Sequence, residues 1–257
     1  MLGTIIGDIA GLPYERSPAT GKFTIMDPEV ITTFSDDTIL TMAIAHFCQN
    51  NTLTKDNLSE LAIVIKDFAK RYPSDGYGKG FRNWVASESL ESYGSWANGS
   101  AMRVSYIGYS SKSIAECLEL SKLTAMVTHD TPEGIKGAQA IAVAIFLAKT
   151  EDKETIRDII QAMFEYDLNR TILEIKDKYT FDVSCEGSVP EAIIAFLDSS
   201  DFESAIYNAI SLGGDSDTQA AMAGGIAESF YKNIPVAYLD SVYSLIPEEF
   251  IDILKKY

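Results

Sequence analysis

Ser35-Asp36-Asp37-Thr38-Ile39-Leu40-Thr41-Met42-Ala43-Ile44-Ala45-His46-Phe47-Cys48 is the stretch whose reading decides the fold class. From Thr38 to Cys48 its apolar residues recur at spacings of three and four, the signature of a helix face turned to a core. Ser35 and the two acids ahead of that run read as an N-cap and a first turn favoured by the helix dipole. The same period returns at Leu58 to Tyr72, Ser113 to Val127, Pro132 to Lys149, Thr155 to Tyr166 and Val189 to Leu197. It returns again at Phe202 to Leu212, Gln219 to Tyr231, Val236 to Leu245 and Glu248 to Lys256. No run alternates as a strand does, so the expected class is all-α.

Start signals support these helices. Ser113 and Asp201 are polar N-cap candidates, and Pro132, Pro190, Pro235 and Pro247 suit a first helical turn. Ala138 to Ala148 and Ala220 to Ala227 are rich in Ala and Gly, which lets helix axes approach closely. Three stretches read as irregular: Gly11 to Thr33 with its prolines, Tyr72 to Ala101 with its Gly, Tyr, Trp and Ser, and Tyr179 to Ser188. Loops that long inside a helical domain tend to carry function. No low-complexity linker or fixed-period repeat divides the chain, so residues 1–257 are expected to form one domain.

Composition narrows the function classes. Hydrophobic residues make up 46% of the 257, enough for a sizeable core. No apolar run approaches the roughly 20 residues that cross a bilayer, and the start lacks the basic region of a secretory signal. A cytoplasmic protein with no membrane partner is expected. The net charge of −16 repels phosphate backbones, so no nucleic-acid partner is expected. Cys48, Cys117 and Cys185 are far apart and read as buried apolar residues of a reducing compartment.

Leu212-Gly213-Gly214-Asp215-Ser216-Asp217-Thr218 repeats the grammar of Ser35-Asp36-Asp37-Thr38: a turn, clustered acids, a hydroxyl, then a helix. Either cluster alone is explained by helix capping. Asp215 and Asp217 would point roughly 200° apart within a regular helix, so they converge on one ion only from the preceding turn. Gly213 and Gly214 supply the backbone freedom for it. Four carboxylates and two hydroxyls, without His or Cys, make a hard-oxygen set suited to magnesium, manganese or calcium. The spacing is neither that of an EF-hand nor that of the DDxxD of helical terpene synthases.

With both clusters in view, the chain resembles the ADP-ribosylglycohydrolase family, whose relatives include the dinitrogenase-reductase-activating glycohydrolase. Gly3-Thr4-Ile5-Ile6-Gly7-Asp8-Ile9-Ala10-Gly11, with Glu15 after it, looks like the family's opening Gly-Asp segment and acidic residue. Trp96-Ala97-Asn98-Gly99-Ser100-Ala101-Met102-Arg103 is similar to its central Asn-Gly motif, and Thr128-His129-Asp130 to its Thr-His segment. The two acidic clusters match its metal motifs, with Ser35 where many relatives carry Thr. The resemblance implies a compact orthogonal multi-helix bundle. It also implies a hydrolase that removes ADP-ribose from a modified protein or a small conjugate.

Carried over by position, Ser35, Asp36, Asp37, Asp215, Asp217 and Thr218 would hold two magnesium ions, with manganese as a substitute. Asp36 and Asp217 thereby count as catalytic. Glu15, in a Pro-flanked loop, is the candidate to assist the leaving group or gate the site, and Asp75 is a second acid–base candidate. Asn98, Gly99, Ser100 and the Gly76-Tyr77-Gly78 loop have the composition to cradle a pyrophosphate through backbone N–H groups. Tyr77, Tyr93 and Trp96 are candidates to stack on adenine, and His129 is expected at the ligand's edge. Arg103 is expected to be a structural ion-pair partner. The acidic surface favours a guanidinium leaving group, with serine-linked or O-acetyl ADP-ribose as alternatives. A catalytically silent module that binds ADP-ribose or metal is the reading from another class.

Overall fold

The computed structural model describes residues 1–19 and 21–256. The chain opens with α1 (Leu2–Gly11), α2 (Asp36–Asn50), α3 (Leu58–Arg71), α4 (Lys79–Ala86) and α5 (Gly99–Met102). It continues through α6 (Ser105–Ser110), α7 (Ile114–Met126), α8 (Pro132–Leu147), α9 (Lys153–Phe164) and α10 (Ile172–Lys176). It ends with α11 (Cys185–Leu197), α12 (Phe202–Ser211), α13 (Ser216–Tyr231), α14 (Val236–Leu245) and α15 (Glu248–Lys255). Among the described residues the only extended pairing is a bridge between Ala97 and Ser184. The fold is all-α. No helix among the described residues is long and apolar enough to cross a membrane.

Local capping chemistry sets seven of the fifteen helix starts among the described residues. The side chains of Ser35, Ser113, Thr131, Asp152, Thr171, Ser184 and Asp201 each accept a backbone N–H from the first turn they precede. Three expectations shift accordingly. Asp152 starts α9 at Lys153, ahead of Thr155, and Ser184 starts α11 at Cys185. Pro190 therefore lies inside α11 and not in its first turn. Pro235 and Pro247 are N-caps, one residue before their helices. Cationic side chains close other ends: Lys153 Nζ donates to the carbonyls of Phe196 and Leu197 as α11 ends.

Two segments outside the periodic stretches are helical because of what they pack on. Within Tyr72 to Ala101, α4 buries Phe81 and Trp84, and the carbonyls of Trp84, Ser87 and Ser89 at its end accept from Lys66 Nζ. Helix α1 carries Gly3, Gly7 and Gly11, three poor helix formers one turn apart. Their absent side chains form a groove that seats α13. A Cβ on Gly3 would lie 2.2 Å from the Gly224 carbonyl oxygen, on Gly7 2.1 Å from that of Ala220, and on Gly11 2.5 Å from Asp217 Cα. Tertiary contact thus outweighs the propensity penalty. Gly7→Ala is expected to cost about 1–3 kcal/mol, because the obstruction is backbone that cannot swing aside. Thermal unfolding should then occur roughly 2–4 °C lower per kcal/mol. An unchanged melting temperature would show that the two helices are free to part.

The same approach positions chemistry. Helix α13 packs on α1, α8, α11 and α12, while α8 collects α5, α6, α7 and α11. Seated on α1, the start of α13 is carried to the start of α2.

Candidate active site

Asp36 and Asp37 are the first two residues of α2, after the Ser35 cap. Asp215 occupies the cap position of α13, and Asp217 is the second residue of that helix. The turn before α13 has the expected conformation: Gly213 and Gly214 take φ of +75° and +78°. Tyr179 packs across Gly214, where a Cβ would lie 2.7 Å from the ring, so this turn has no room for a side chain. Tyr179 also donates to the Gly187 carbonyl and accepts from Gln219 Nε2, tying the turn to α11 and α13.

The two acidic clusters meet. The Thr218 hydroxyl donates to Asp37 Oδ2 at 3.2 Å, although the residues are 181 apart in sequence. The Ser35 hydroxyl donates to the same oxygen at 3.2 Å. Asn98 Nδ2 donates to Asp215 Oδ2 at 2.6 Å from the opposite wall. Gly76 closes over Asp36 so tightly that a Cβ would sit 2.0 Å from Asp36 Oδ1.

One residue of the centre escapes the sequence reading as a candidate site. Asp8, completely buried in α1, accepts the backbone N–H groups of Ser35 and Thr38 and the Thr38 hydroxyl. It caps α2 from another helix and so fixes where Asp36 and Asp37 point. Carboxylate oxygens of Asp8, Asp37 and Asp217 lie within 4.8 Å of one another. The available signal is a lone acid among Ile5, Ile6 and Ile9 in an otherwise apolar stretch.

Electrostatics follow from this crowding. Burial, reinforced by the Asp8 charge, pushes the Asp36 carboxyl up to about 7. Burial pushes Asp215 up to about 6 against the hydrogen bond from Asn98. Asp37 and Asp217 are held well above the usual carboxylate range, first by burial and then by the charges of Asp217 and Asp215 respectively. Burial also raises Asp8, against its hydrogen bonds. No Lys or Arg ion pair reaches these five among the described residues. Asp37 Oδ1 and Asp217 Oδ1 are buried acceptors without a partner. Buried hard-oxygen acceptors lacking both cation and donor fit a divalent cation such as magnesium.

Beside the cluster lies a cavity of about 260 Å³. Asp36, Asp37, Asp215, Asp217 and Thr218 form one end of it, with Glu15 at its margin. Asn98, Gly99, Gly78 and His129 line it further along, and Tyr93, Phe181 and Val183 add an apolar wall. Two segments that read as separate loops build that wall together: Asn98 N donates to the Val183 carbonyl at 2.8 Å and Cys185 N to that of Trp96 at 3.2 Å. In sequence, Phe181 and Val183 read only as part of a linking stretch.

Other candidates lie elsewhere. Tyr77 is buried against Phe81 with ring centroids 5.0 Å apart, and its hydroxyl donates to the Tyr72 carbonyl, away from the cavity. Trp96 is 55% exposed and does not line the cavity. Ser100 is buried beneath it, donating to the Gly134 carbonyl. Asp75 is exposed in an outer groove, which Glu15 shares with the cavity. Arg103 is not an ion-pair partner. It lies fully buried at the cavity floor and donates to Thr124 O and Thr128 Oγ1, because its position among α5 and α7 offers oxygens but no carboxylate.

The sequence profile of the ADP-ribosylglycohydrolase family matches residues 1–255. The chain is 26% identical to the ADP-ribosylhydrolase ARH3 of Mus musculus, over 94% of this chain and 85% of that protein. It is 24% identical to the ADP-ribosylhydrolase ARH3 of Homo sapiens, over 90% of this chain and 84% of that one. A solved structure described as an ADP-ribosylglycohydrolase-related protein complex matches the fold with a TM-score of 0.76 at 20% identity. That match covers 100% of this chain and 94% of the other.

Proposed function

Because this chain belongs to the ADP-ribosylglycohydrolase family, we propose that it hydrolyses the bond between the anomeric carbon of an ADP-ribosyl group and its acceptor. The observation that carries this reading is the meeting of both acidic clusters at a cavity whose other lining includes Asn98, His129 and the apolar side chains of Tyr93, Phe181 and Val183. Ser35, Asp36, Asp37, Asp215, Asp217 and Thr218 would hold two magnesium ions, with manganese as substitute. Bound there, such cations supply Lewis acidity toward the ribose hydroxyls and the attacking water.

The chain's own groups do the rest. Asn98 and Gly99 orient the ligand beside the carboxylates, and the exclusion of bulk water by Tyr93, Phe181 and Val183 strengthens every polar contact inside. Cleavage develops oxocarbenium-like charge on the ribose, which the surrounding carboxylates favour. The bond to the acceptor breaks with its electron pair on the acceptor atom, the oxygen of a water bonds to the anomeric carbon, and one proton of that water ends on the acceptor. Glu15 stands at the boundary between the cavity and the outer groove, where it can carry that proton.

The outer groove takes the leaving group in this reading. Glu15 and Asp75 line it, with Arg16 the one cationic side chain among the described residues there, so a cationic guanidinium is favoured over serine or an acetyl ester. The test is release of free ADP-ribose from arginine, serine and O-acetyl conjugates, with and without magnesium. The arginine or small guanidine conjugate should be cleaved fastest. Faster cleavage of the serine or acetyl conjugate reverses the leaving-group assignment. Tight ADP-ribose binding without turnover on any of them favours a silent binding module.

A further inference from the structure

Arg103 is the largest side chain among the described residues with no exposed surface. Its Nη2 donates to the Thr124 carbonyl at 3.2 Å and to Thr128 Oγ1 at 2.8 Å, while Nε and Nη1 have no partner. Thr128 Oγ1 in turn lies 2.7 Å from His129 Nδ1. These three groups form a chain, and where the single Thr128 hydroxyl proton points gives it a direction. A guanidinium is a donor only, so it takes a lone pair of the Thr128 oxygen. A hydroxyl that accepts from a cation becomes a stronger donor, and its single proton has His129 Nδ1 as its remaining partner. For Nδ1 to accept, it must be bare, and the proton of the neutral imidazole then sits on Nε2.

That edge of the ring is the one left open. His129 lines the cavity, and its Nε2 has no hydrogen bond within the described protein. Gly99 keeps the edge uncovered: a Cβ there would lie 3.2 Å from both Cε1 and Nε2. Behind the ring, Gly134 packs so closely that a Cβ would come within 2.7 Å of His129 Cβ. Tyr93 meets the imidazole edge-on, with centroids 6.1 Å apart. The ring is therefore held in place, and only its protonation pattern is left to be decided.

We propose that Arg103 and Thr128 are positioning residues that fix His129 as its Nε2–H tautomer, so that the ring presents a hydrogen-bond donor to a phosphate or ribose oxygen of the ligand. Burial, and then the Arg103 charge, hold His129 well below its ordinary range, which keeps the ring neutral. Arg103 itself is lowered by burial to about 10 and stays charged at neutral pH. A buried cation without a carboxylate partner thus lies under the cavity floor of a chain with net charge −16. The tautomer is a property of the resting protein; its effect on turnover rests on the hydrolase reading above.

The chain contains two histidines, His46 and His129. Nitrogen-15 imidazole spectra therefore show two rings, assigned with His129→Gln. The wild-type spectrum should show His129 protonated at Nε2 and bare at Nδ1. Thr128→Val should turn this into a mixture of tautomers, and Thr128→Ser should restore the single form. On an ADP-ribosyl conjugate, Thr128→Val should raise KM about tenfold with a smaller change in kcat, and Thr128→Ser should stay within about twofold of wild type. A wild-type ring protonated at Nδ1 overturns the proposal, as does a Thr128→Val spectrum identical to wild type. Should Thr128→Val fail to fold, the wild-type and Thr128→Ser spectra decide alone. The expected spectra without turnover on any conjugate would leave the tautomer lock standing and remove the hydrolase reading.

Discussion

Asp36→Asn and Asp217→Asn are each expected to lower kcat/KM on an ADP-ribosyl conjugate at least about a thousandfold, equivalent to roughly 4 kcal/mol of transition-state stabilisation. In the same variants the metal-free protein should melt at the same or a higher temperature. The two effects separate because the carboxylates serve the bound cation at the expense of the empty fold. Without a cation, Asp8, Asp36, Asp37, Asp215 and Asp217 crowd one region in which no Lys or Arg among the described residues pairs with them. Removing one charge relieves repulsion and desolvation. Against this stands the loss of a favourable acid at a helix start, worth about 0.3–1 kcal/mol. With Asp217 buried and Asp36 half-buried, the relief outweighs that loss at both positions. Turnover assays, magnesium titration calorimetry and scanning calorimetry of the apo protein check the prediction. Because Thr218 joins Asp37 across the two clusters, each variant should weaken both cation sites. Loss of one site with the other binding normally would refute the shared centre.

The second large effect is a pH-dependent stability whose direction magnesium should reverse. Asp36 is raised to about 7 and Asp215 to about 6, while Asp37 and Asp217 also lie well above the ordinary range. In the unfolded chain all four titrate near 4. Between about pH 4 and 7 the native apo protein therefore binds more protons than the unfolded chain. By linkage, its stability falls as pH rises through that window. Each unit of displacement for one carboxyl corresponds to about 1.4 kcal/mol, and 1 kcal/mol moves the melting temperature by roughly 2–4 °C in a chain of this size. The metal-free protein should thus melt at least several degrees higher at pH 5 than at pH 7.5. With saturating magnesium the order should reverse, since ligating carboxylates must be ionised and protons compete with the cation. A melting temperature that rises from pH 5 to 7.5 in rigorously metal-free protein would contradict the buried, unpaired cluster.

What the sequence determined by itself was local. Periods of three and four, together with caps such as Ser35, Ser113 and Asp201, depend on residues within a turn or two of one another, so the all-α class and ten of the helices were legible. The acidic clusters were legible for the same reason: each is a contiguous stretch, and Gly213-Gly214 announces its own turn. Tertiary structure alone decided which helix faces meet. Gly3, Gly7 and Gly11 lower local helix propensity, yet α1 forms because α13 fills the groove they leave. Asp8 became part of the centre only when α1 crossed the start of α2. Tyr77 and Phe181 are both aromatic residues in loop-like sequence, and nothing local told which would turn to the core and which to the cavity. Arg103 shows the limit most clearly. Its motif suggested an ion pair, but the groups around a buried side chain are chosen by packing over long sequence separations, and here they are hydroxyl and carbonyl oxygens. A contact between distant residues leaves no periodic trace in either stretch, so it is settled only when the helices pack.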